Sequence, residues 1–356
     1  MDSMGGAFGL PLTAFANVRT FKTSKSFDQK FSFRLEKLSG VWYNRDSKRG
    51  VLERMKIATW LERNTHTLRG KRIAVTGSTG GLGRELCGYL AELGASLVLL
   101  DRNGERSQKH KEELVERHPD LFVECVPLDL EDLTSAHLAV ERLCALEIDM
   151  FIHNAGAYSI PRHRCASGYD NVYQINFATP YYVIRKLLPM LRRRGGKVVV
   201  VGSIAHRYSE IDALDVDFST RRAASKVYGN AKRYLTFALH ELFLGETEVR
   251  LAVTHPGIAF TNITAHYPKA IFWLIKHPMK VIFMKPRRAA LSILAGVFSD
   301  TAYGEWIGPW AFDVWGLPEK KRLRTVGKDE REEIARIAET VYLQCERTVL
   351  ESRLRD

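Results

Sequence analysis

The sequence predicts an α/β protein in which helices cover both faces of a doubly wound parallel sheet of about seven strands. One observation is the alternation of short apolar runs with longer amphipathic stretches between about residues 70 and 260. Another is that the apolar runs are continuous and rich in β-branched residues, which suits parallel strands buried on both faces. A third is a glycine-rich stretch directly after the first run, where α/β sheets hold ligands.

Each predicted element follows from these patterns, and a helix closes the chain. The predicted strands are RIAVTG, SLVLLD, FVECVPLD, DMFIHNAG, KVVVVGS and VRLAVTHPG. The predicted helices between them span 82–93, 104–117, 131–146, 169–194 and 220–245. The C-terminal helix is predicted to pack on the core through one apolar stripe. That stripe consists of Ile334, Ile337, Ala338, Val341, Cys345 and Val349.

The N-terminal region, residues 1–54, is expected to be a poorly structured leader. Its stretch LTAFANVRTFKTSKSF is basic, rich in hydroxyl groups and free of acidic residues, as targeting segments are. We favour a disordered leader, or an extension upstream of a true start at Met55. No apolar run approaches the roughly 20 residues of a membrane-spanning helix. The odd number of dispersed cysteines suggests a reducing compartment, so we expect a cytoplasmic protein, with peripheral membrane contact and organelle targeting by residues 1–54 left open.

The net charge of +12 is concentrated in two regions. Residues 249–299 contain seven Lys or Arg and no acidic residue, and residues 1–54 carry ten basic against five acidic residues. This charge suits anionic partners, but no basic run is interleaved with stacking aromatics, so nucleic acid is not expected as a partner. The five cysteines are dispersed without metal-ligand spacing, which predicts no metal site and no disulfide framework.

The glycine-rich stretch VTGSTGGLGRE, residues 75–85, follows the first predicted strand and opens a helix. Glycines let the backbone turn tightly and approach a pyrophosphate, which the N–H groups of the helix N-terminus bind. Glycine-rich turns also close many strands without a ligand, but this one stands in the position that a phosphate loop requires. The predicted dinucleotide contacts are Thr76, Gly77, Ser78, Gly80, Gly81, Leu82 and Gly83.

Two residues at the end of the second predicted strand, Asp101 and Arg102, bear on whether the cofactor is NAD or NADP. Asp101 stands eighteen residues after Gly83, where an acid can accept both ribose hydroxyls and repel a 2′-phosphate. The plain alternative for Asp101 is a helix cap or turn former. Arg102 could instead bind the 2′-phosphate of NADP. The acid favours NAD, and NADP is left open.

These residues resemble the short-chain dehydrogenase/reductase family over roughly residues 70–320, which implies a Rossmann fold. Asp129-Leu130 resembles its adenine-contacting pair, and HNAG resembles its Asn-Asn-Ala-Gly motif, with His153 in place of the first Asn. PGIAFT resembles its Pro-Gly segment near the nicotinamide. The cofactor contacts that the resemblance implies are Asp129, Leu130, Asn154, Ala155, Gly156, Pro256, Gly257 and Thr261.

The glycine spacing alone does not separate two branches of that family. Gly77, Gly81 and Gly83 fit the single-domain branch, whereas Gly77, Gly80 and Gly83 fit the extended branch. HNAG and the later segments favour the single-domain branch. Within that branch, AIFWLIKHPMKVIFMKPRRAA followed by AYGEWIG resembles the retinol-dehydrogenase-like members, which act on apolar alcohols and carbonyls.

The candidate catalytic residues are Asn176, Ser203, Tyr228 and Lys232. Tyr228 and Lys232 are four residues apart in a predicted helix and share a face, although such a pair is usually a surface contact worth a few tenths of a kcal/mol. A nearby ammonium lowers the pKa of a phenol, which is otherwise about 10, and so makes it an acid/base group. Ser203, at a strand end, can hydrogen-bond the substrate oxygen. Asn176 resembles the family's helix asparagine, which holds a water that links Lys232 to solvent.

The resemblance also divides the chain into parts. A lead-in helix is expected at 55–69, the sheet domain at 70–320 with a substrate lid at 262–290, and a helical tail at 321–356. Within the lid, residues 267–288 are both apolar and basic. That segment is open to three interpretations: cover for the core, wall of an apolar pocket, or peripheral contact with an anionic membrane surface.

The resulting hypothesis is an oxidoreductase that transfers a hydride between NAD(P) and an apolar alcohol or carbonyl that is retinoid-, steroid- or lipid-like. Two alternatives stay open: a redox-sensing scaffold that binds NAD(P) without turnover, and an extended-type sugar-nucleotide epimerase. The oligomeric state is left open between monomer and homodimer.

Overall fold

The computed structural model describes residues 48–258 and 284–355, and its centre is an eight-stranded sheet. Continuous apolar runs form the buried strands, as the sequence predicts. The strands are β1 (Arg72–Thr76), β2 (Ser96–Asp101), β3 (Val123–Pro127), β4 (Met150–His153), β5 (Lys197–Val201), β6 (Arg250–Thr254), β7 (Glu305–Ala311) and β8 (Trp315–Arg322). Their order across the sheet is β3-β2-β1-β4-β5-β6-β7-β8.

Helices connect and cover these strands. They are α1 (Lys48–Asn64), α2 (Gly81–Glu92), α3 (Gly104–Arg117), α4 (Leu133–Ala145), α5 (Asn171–Tyr173), α6 (Thr179–Arg194), α7 (Ala224–Leu242), α8 (Pro286–Phe298) and α9 (Lys328–Arg353). A π-helical turn, Gln174–Ala178, lies between α5 and α6, and a 3₁₀ turn, Ile204–Tyr208, follows β5. Among the described residues, no helix is long and apolar enough to cross a membrane.

The order of the strands confirms the predicted doubly wound sheet. Strands β1 to β7 are parallel, and β8 returns antiparallel to β7. From β1 the chain moves outwards to β3 and then crosses back to place β4 beside β1. This reversal opens a crevice at the carboxyl ends of β1 and β4, which is where such sheets bind ligands.

Three expected boundaries differ from the structure. Helix α1 begins at Lys48, inside the expected leader, and ends at Asn64 rather than at residue 69. The chain divides into a unit that ends at Leu61 and a main unit that begins at Glu62, and α1 runs from one into the other. Strand β8 runs through the expected boundary between residues 320 and 321, because its polar sequence WGLPEKKR carries no apolar run.

The expected lid at 262–290 lies largely outside the described residues, as do Pro268 and Pro278 of its apolar, basic part. At its described end, α8 begins at Pro286 and buries Ala289 and Ala290 in the framework, and the bounds of the lid stay a prediction. Pro286 opens this helix because a proline is favoured in the first turn.

The apolar stripe of the C-terminal helix is packing, as predicted. All six of its side chains are buried in α9 and belong to the largest apolar cluster of the main unit. That cluster also contains Tyr173, Phe177 and Tyr234, whose rings contact one another beside the π-helical turn. The C-terminal helix therefore supports the layer that carries the candidate catalytic side chains.

Candidate active site

The glycine-rich loop between β1 and α2 leaves no room for side chains at its turn. Gly77 has φ +66°, which favours glycine. A Cβ at Gly83 would overlap the carbonyl oxygen of Gly77, and one at Gly80 would lie 3.3 Å from the same oxygen. The close approach of loop and helix therefore requires glycine at these positions.

The N-terminus of α2 opens towards the crevice without a capping side chain. Gly80 is the N-cap residue, and no side chain accepts a hydrogen bond from the first turn of the helix. Helix N-termini that lack such a cap offer N–H groups and a positive dipole end to an anion. The geometry fits the pyrophosphate of a dinucleotide.

The HNAG segment is fixed to the end of β1 through Thr76. The Thr76 hydroxyl accepts hydrogen bonds from the N–H groups of Asn154 and Ala155, both at 3.0 Å. Asn154 Nδ2 donates to the carbonyl oxygens of Thr76 at 3.0 Å and Gly77 at 3.2 Å. The two strand ends that border the crevice are thereby held together.

His153 keeps a structural role although the related motif has Asn in its place. Its Nδ1 lies 3.2 Å from the Thr76 hydroxyl, which already accepts two N–H bonds and so donates its proton to the ring. Burial, together with the charge of Lys232, holds the pKa of His153 well below its usual value. The ring is therefore a neutral acceptor.

Asp101 does not have the geometry that the NAD prediction requires. Its Oδ1 accepts from Thr79 N at 3.1 Å and Thr79 Oγ1 at 2.9 Å. Its Oδ2 accepts from the hydroxyls of Ser78 and of Ser107, the latter at 3.2 Å. A carboxylate offers about four acceptor positions, and all four are occupied by the chain itself. Asp101 therefore braces the glycine loop, and no acceptor position remains for ribose hydroxyls in this conformation.

Arg102 lies at the rim of a cleft of about 760 Å³ that runs along the carboxyl ends of the strands. Its side chain is 70% exposed, and its Nη1 lies 3.6 Å from Glu131 Oε1. Arg106, exposed on the first turn of α3, lines the same cleft. Predicted cofactor residues that line it are Thr76, Gly77, Gly80, Gly81, Leu82, Gly83, Asp101, Arg102, Asp129, Leu130, Asn154, Ala155 and Gly156.

Glu131 and His163 continue the rim of the cleft next to Arg102, and sequence reasoning missed this pair. Glu131 Oε2 lies 2.9 Å from His163 Nε2, and Cys165 brings a third ligand-type atom within 4.8 Å of the other two. Asn171 Nδ2 lies 3.2 Å from His163 Nδ1 and also donates to Pro161 O, so Nδ1 accepts and Nε2 carries the proton. Glu131 and His163 therefore form a hydrogen-bonded pair at the rim.

Of the remaining predicted contacts, Ser78 binds Asp101 and points away from the cleft's lining. Gly257, with φ +76°, is enclosed so that a Cβ would lie 2.6 Å from Met284 Cε and from Val314 O. Pro256 precedes it at the end of β6. Thr261 lies outside the described residues, and its role stays a prediction.

Ser203 and Tyr228 come together where β5 meets α7. A hydrogen bond joins their side chains, and the Ser203 Oγ also accepts from Ala205 N at 3.2 Å. The Tyr228 ring packs edge to face on Tyr158, with centroids 5.3 Å apart. The phenol is therefore held by a hydroxyl on one side and an aromatic ring on the other.

Lys232 lies behind Tyr228 and close to Gly156, a residue of the cleft's lining. Its Nζ donates to Val201 O at 3.0 Å and lies 5.8 Å from the centroid of the Tyr228 ring. A Cβ added to Gly156, which lines the cleft, would lie 3.6 Å from that Nζ. Lys232 Nζ thus lies near both the Tyr228 ring and Gly156 of the cleft's lining, and its role at the cofactor stays a prediction.

Asn176 stands in the π-helical turn, an irregularity common at functional sites. Its Nδ2 donates to Ala157 O and Val172 O, both at 2.8 Å, and its Oδ1 accepts from Ala157 N at 3.3 Å. The same Oδ1 would lie 2.8 Å from a Cβ on Gly156. Asn176 therefore adjoins Lys232 across Gly156, while its amide is bound to the backbone.

The expected lowering of the Tyr228 pKa is wrong for the protein without bound ligand. Burial raises the pKa of Tyr228 to about 12, and the hydrogen bond from Ser203 only partly opposes this. Burial also lowers the pKa of Lys232 to about 7, so the amine carries only part of its charge near neutrality. Desolvation acts on both groups at once and outweighs their mutual stabilisation.

Replacing Lys232 with Met is expected to remove a pH dependence of stability. The unfolded chain binds the Lys232 proton up to a pKa near 10.5, whereas the folded chain releases it near 7, so wild-type stability rises with pH across that window. The free energy of unfolding, wild type minus variant, should increase by on the order of a few kcal/mol over it. Urea unfolding at several pH values measures this.

The control for that experiment is Lys226→Met, on the exposed side of α7. This variant should follow the wild type at every pH. A Lys232→Met difference that stays constant from neutral to alkaline pH would show that the folded protein does not hold this amine neutral.

Comparison with known proteins agrees with this arrangement. Residues 71–270 match the model of the short chain dehydrogenase family. The short chain dehydrogenase resG of Aspergillus sclerotiorum is 30% identical over 229 residues, which are 55% of this chain and 64% of that protein. Retinol dehydrogenase 14 of Homo sapiens is 27% identical over 218 residues, 56% of this chain and 65% of that protein. Each match thus spans slightly less than two thirds of the relative.

A solved structure resembles the chain at the level of the fold. The Pseudomonas aeruginosa RhlG/NADP active-site complex superposes with a TM-score of 0.50 and 25% identity, covering 65% of this chain and 91% of that one. The matched region of this chain contains the glycine loop, the cleft and the Ser203–Tyr228–Lys232 group. The chain belongs to the short-chain dehydrogenase/reductase family of NAD(P)-dependent oxidoreductases.

Proposed function

We propose that the protein interconverts an apolar alcohol and its carbonyl with NADP(H), using Tyr228 as the acid/base. The observation that carries this proposal is the hydrogen-bonded Ser203–Tyr228 pair with Lys232 behind it, whose Nζ lies close to Gly156 of the cleft's lining. The glycine cradle and the uncapped α2 N-terminus fit a dinucleotide. When bound, that cofactor supplies or takes the hydride at the substrate carbon.

The side chains of this chain supply the proton chemistry. In the reductive direction, Tyr228 donates its hydroxyl proton to the oxygen of the carbonyl, and in the oxidative direction it removes the alcohol proton. Ser203 Oγ accepts from Ala205 N, which orients the hydroxyl towards Tyr228 and the substrate oxygen. That hydroxyl stabilises the negative charge that develops on the oxygen in the transition state. Lys232, when protonated, stabilises the phenolate.

The surroundings of Tyr228 favour an apolar substrate. Tyr158 forms one wall, and Ile160 and Tyr228 both pack on a buried cluster of Val172, Phe218 and Val227. Apolar neighbours of the acid/base group offer no hydrogen-bond partner to a sugar hydroxyl, which speaks against an epimerase of sugar nucleotides. Retinoid, steroid and long-chain aldehydes are the substrate classes that fit.

The preference for NADP rests on two neighbouring side chains, those of Asp101 and Arg102. Asp101 has no acceptor position left for ribose hydroxyls, whereas Arg102 and Arg106 line the cleft beside it. A guanidinium binds a phosphate through parallel charge-assisted hydrogen bonds. RhlG, which resembles this chain, was solved with NADP.

Arg102→Ala is expected to weaken NADPH binding by about tenfold or more, because it removes charge-assisted hydrogen bonds, and to leave NADH binding unchanged. Lys109→Ala, at an exposed position of α3 outside the cleft, is the control and should change neither affinity. Fluorescence titration with each cofactor measures both. Equal weakening of NADH and NADPH by Arg102→Ala would refute the assignment.

The proposed activity is tested by following NADPH and NADH oxidation in parallel with retinoid, steroid and long-chain aldehydes. We expect turnover with at least one aldehyde and a higher kcat/KM with NADPH. Tight cofactor binding without turnover on any of these substrates would instead support the redox-sensing scaffold.

A further inference from the structure

His206 contacts the candidate catalytic serine from behind, through the backbone. Its ring Nδ1 lies 2.6 Å from the carbonyl oxygen of Ser203, and its backbone N–H donates to the same oxygen at 3.2 Å. A carbonyl oxygen can only accept, so Nδ1 carries the proton and donates it. One residue therefore supplies both hydrogen bonds to the main chain of Ser203.

The ring of His206 is held in a single neutral form. It is 1% exposed and packs edge to face on Trp306, with centroids 5.5 Å apart, and on Phe237 at 5.9 Å. Burial lowers its pKa to about 4, and the nearby charges of Arg207 and Arg233 act in the same direction. The ring is thus uncharged at neutral pH, with its proton on Nδ1.

The turn that carries His206 is itself anchored to the helix of Tyr228. Arg233 Nη1 donates to His206 O at 3.0 Å, and its guanidinium also binds Glu330 of α9 through two hydrogen bonds, of 2.5 and 2.8 Å. Gly229, the residue after Tyr228, packs so closely on the turn that a Cβ there would lie 2.6 Å from Ala205 O. A shift of the turn would therefore change the spacing between Ser203 and Tyr228.

We propose that His206 is a positioning residue that sets the orientation of the Ser203 hydroxyl towards Tyr228. The two bonds to Ser203 O fix the peptide after the serine, and that peptide places Ala205 N where it donates to Ser203 Oγ. His206 touches neither substrate nor cofactor in this role. The inference rests on the proposed function for its effect on turnover, but not for its effect on the turn itself.

Two substitutions separate positioning from packing. In His206→Asn, Nδ2 can take the place of the imidazole Nδ1 and keep the bond to Ser203 O, but the ring is lost. In His206→Phe the ring remains against Trp306 and Phe237, but the donor is lost. We expect kcat to fall about tenfold in His206→Phe and to stay within about twofold of wild type in His206→Asn, with the Kd of NADPH unchanged in both.

Thermal stability should show the opposite order to kcat. His206→Asn should have the lower Tm, because the loss of the buried ring leaves a cavity. If His206 served only in packing, the variant with the lower Tm would also have the lower kcat. If His206→Phe keeps wild-type kcat, or if His206→Asn falls with it, the positioning role is overturned.

Hydrogen exchange gives a readout that does not depend on turnover. Amides in the peptide that covers residues 203–209 should exchange faster in His206→Phe than in wild type and His206→Asn. Unchanged exchange in His206→Phe would overturn the inference even in an active enzyme. If the wild type turns over none of the aldehydes tested, the proposed function fails, and the exchange comparison still decides whether His206 holds the turn.

Discussion

Tyr228→Phe is expected to lower kcat by about 10²–10⁴-fold, the usual contribution of a positioned acid/base group, while the Kd of NADPH stays unchanged. The ring remains against Tyr158, so the packing that the structure shows there is kept. Only the proton that would move to or from the substrate oxygen is removed. Steady-state kinetics on the best aldehyde, with cofactor titration, measures both quantities.

The matched control is Tyr234→Phe, six residues further along the same helix. Tyr234 is fully buried, and its hydroxyl has no hydrogen-bond partner among the described residues. Removing that hydroxyl should leave kcat and stability nearly unchanged. Equal kcat values for Tyr228→Phe and Tyr234→Phe would exclude the proposed mechanism.

Gly83→Ala is expected to weaken binding of NADPH and NADH alike, by about a hundredfold. The added methyl group would overlap the carbonyl oxygen of Gly77, so the loop or the helix must move. A displacement of about 1 Å in a positioning element can cost a factor of about 10². Cofactor titration measures the loss, and circular dichroism checks that the fold is kept.

Gly88→Ala, in the same helix as Gly83, is the matched control. No atom lies within 4 Å of the position of its added Cβ, so the substitution should stabilise α2 by about 0.5–1 kcal/mol and leave cofactor affinity unchanged. If Gly83→Ala bound cofactor as tightly as Gly88→Ala does, the glycine loop would not be the phosphate site.

Sequence reasoning identified strands β1 to β6 and most helices, because strands buried on both faces have continuous apolar runs. It did not reach β8, whose side chains are half exposed and charged. The start of α1 was missed because the residues before Met55 show no clear apolar periodicity, and the start of α8 was missed because Pro286 reads equally as an interruption or an opening of a helix.

Within the site, residue types at the right spacing predicted which side chains meet, but not what each one binds. Asp101 could be placed at the strand end from the sequence, whereas its four donors come from Ser78, Thr79 and Ser107, whose side-chain directions depend on the folded loop. The raised pKa of Tyr228 in the protein without bound ligand was missed for a similar reason. Desolvation is set by how completely the fold buries both groups.

The polar strand β8 has a further consequence for how copies of the protein behave at high concentration. It occupies one edge of the sheet, where unpaired backbone groups could recruit a strand from another molecule. Pro318 lacks an N–H, and Lys320 and Lys321 carry positive charge along the same strand. Proline and lysine are the residues that natural sheets use to block such pairing. Strand β8, which sequence reasoning missed, therefore protects this edge of the sheet from edge-to-edge aggregation.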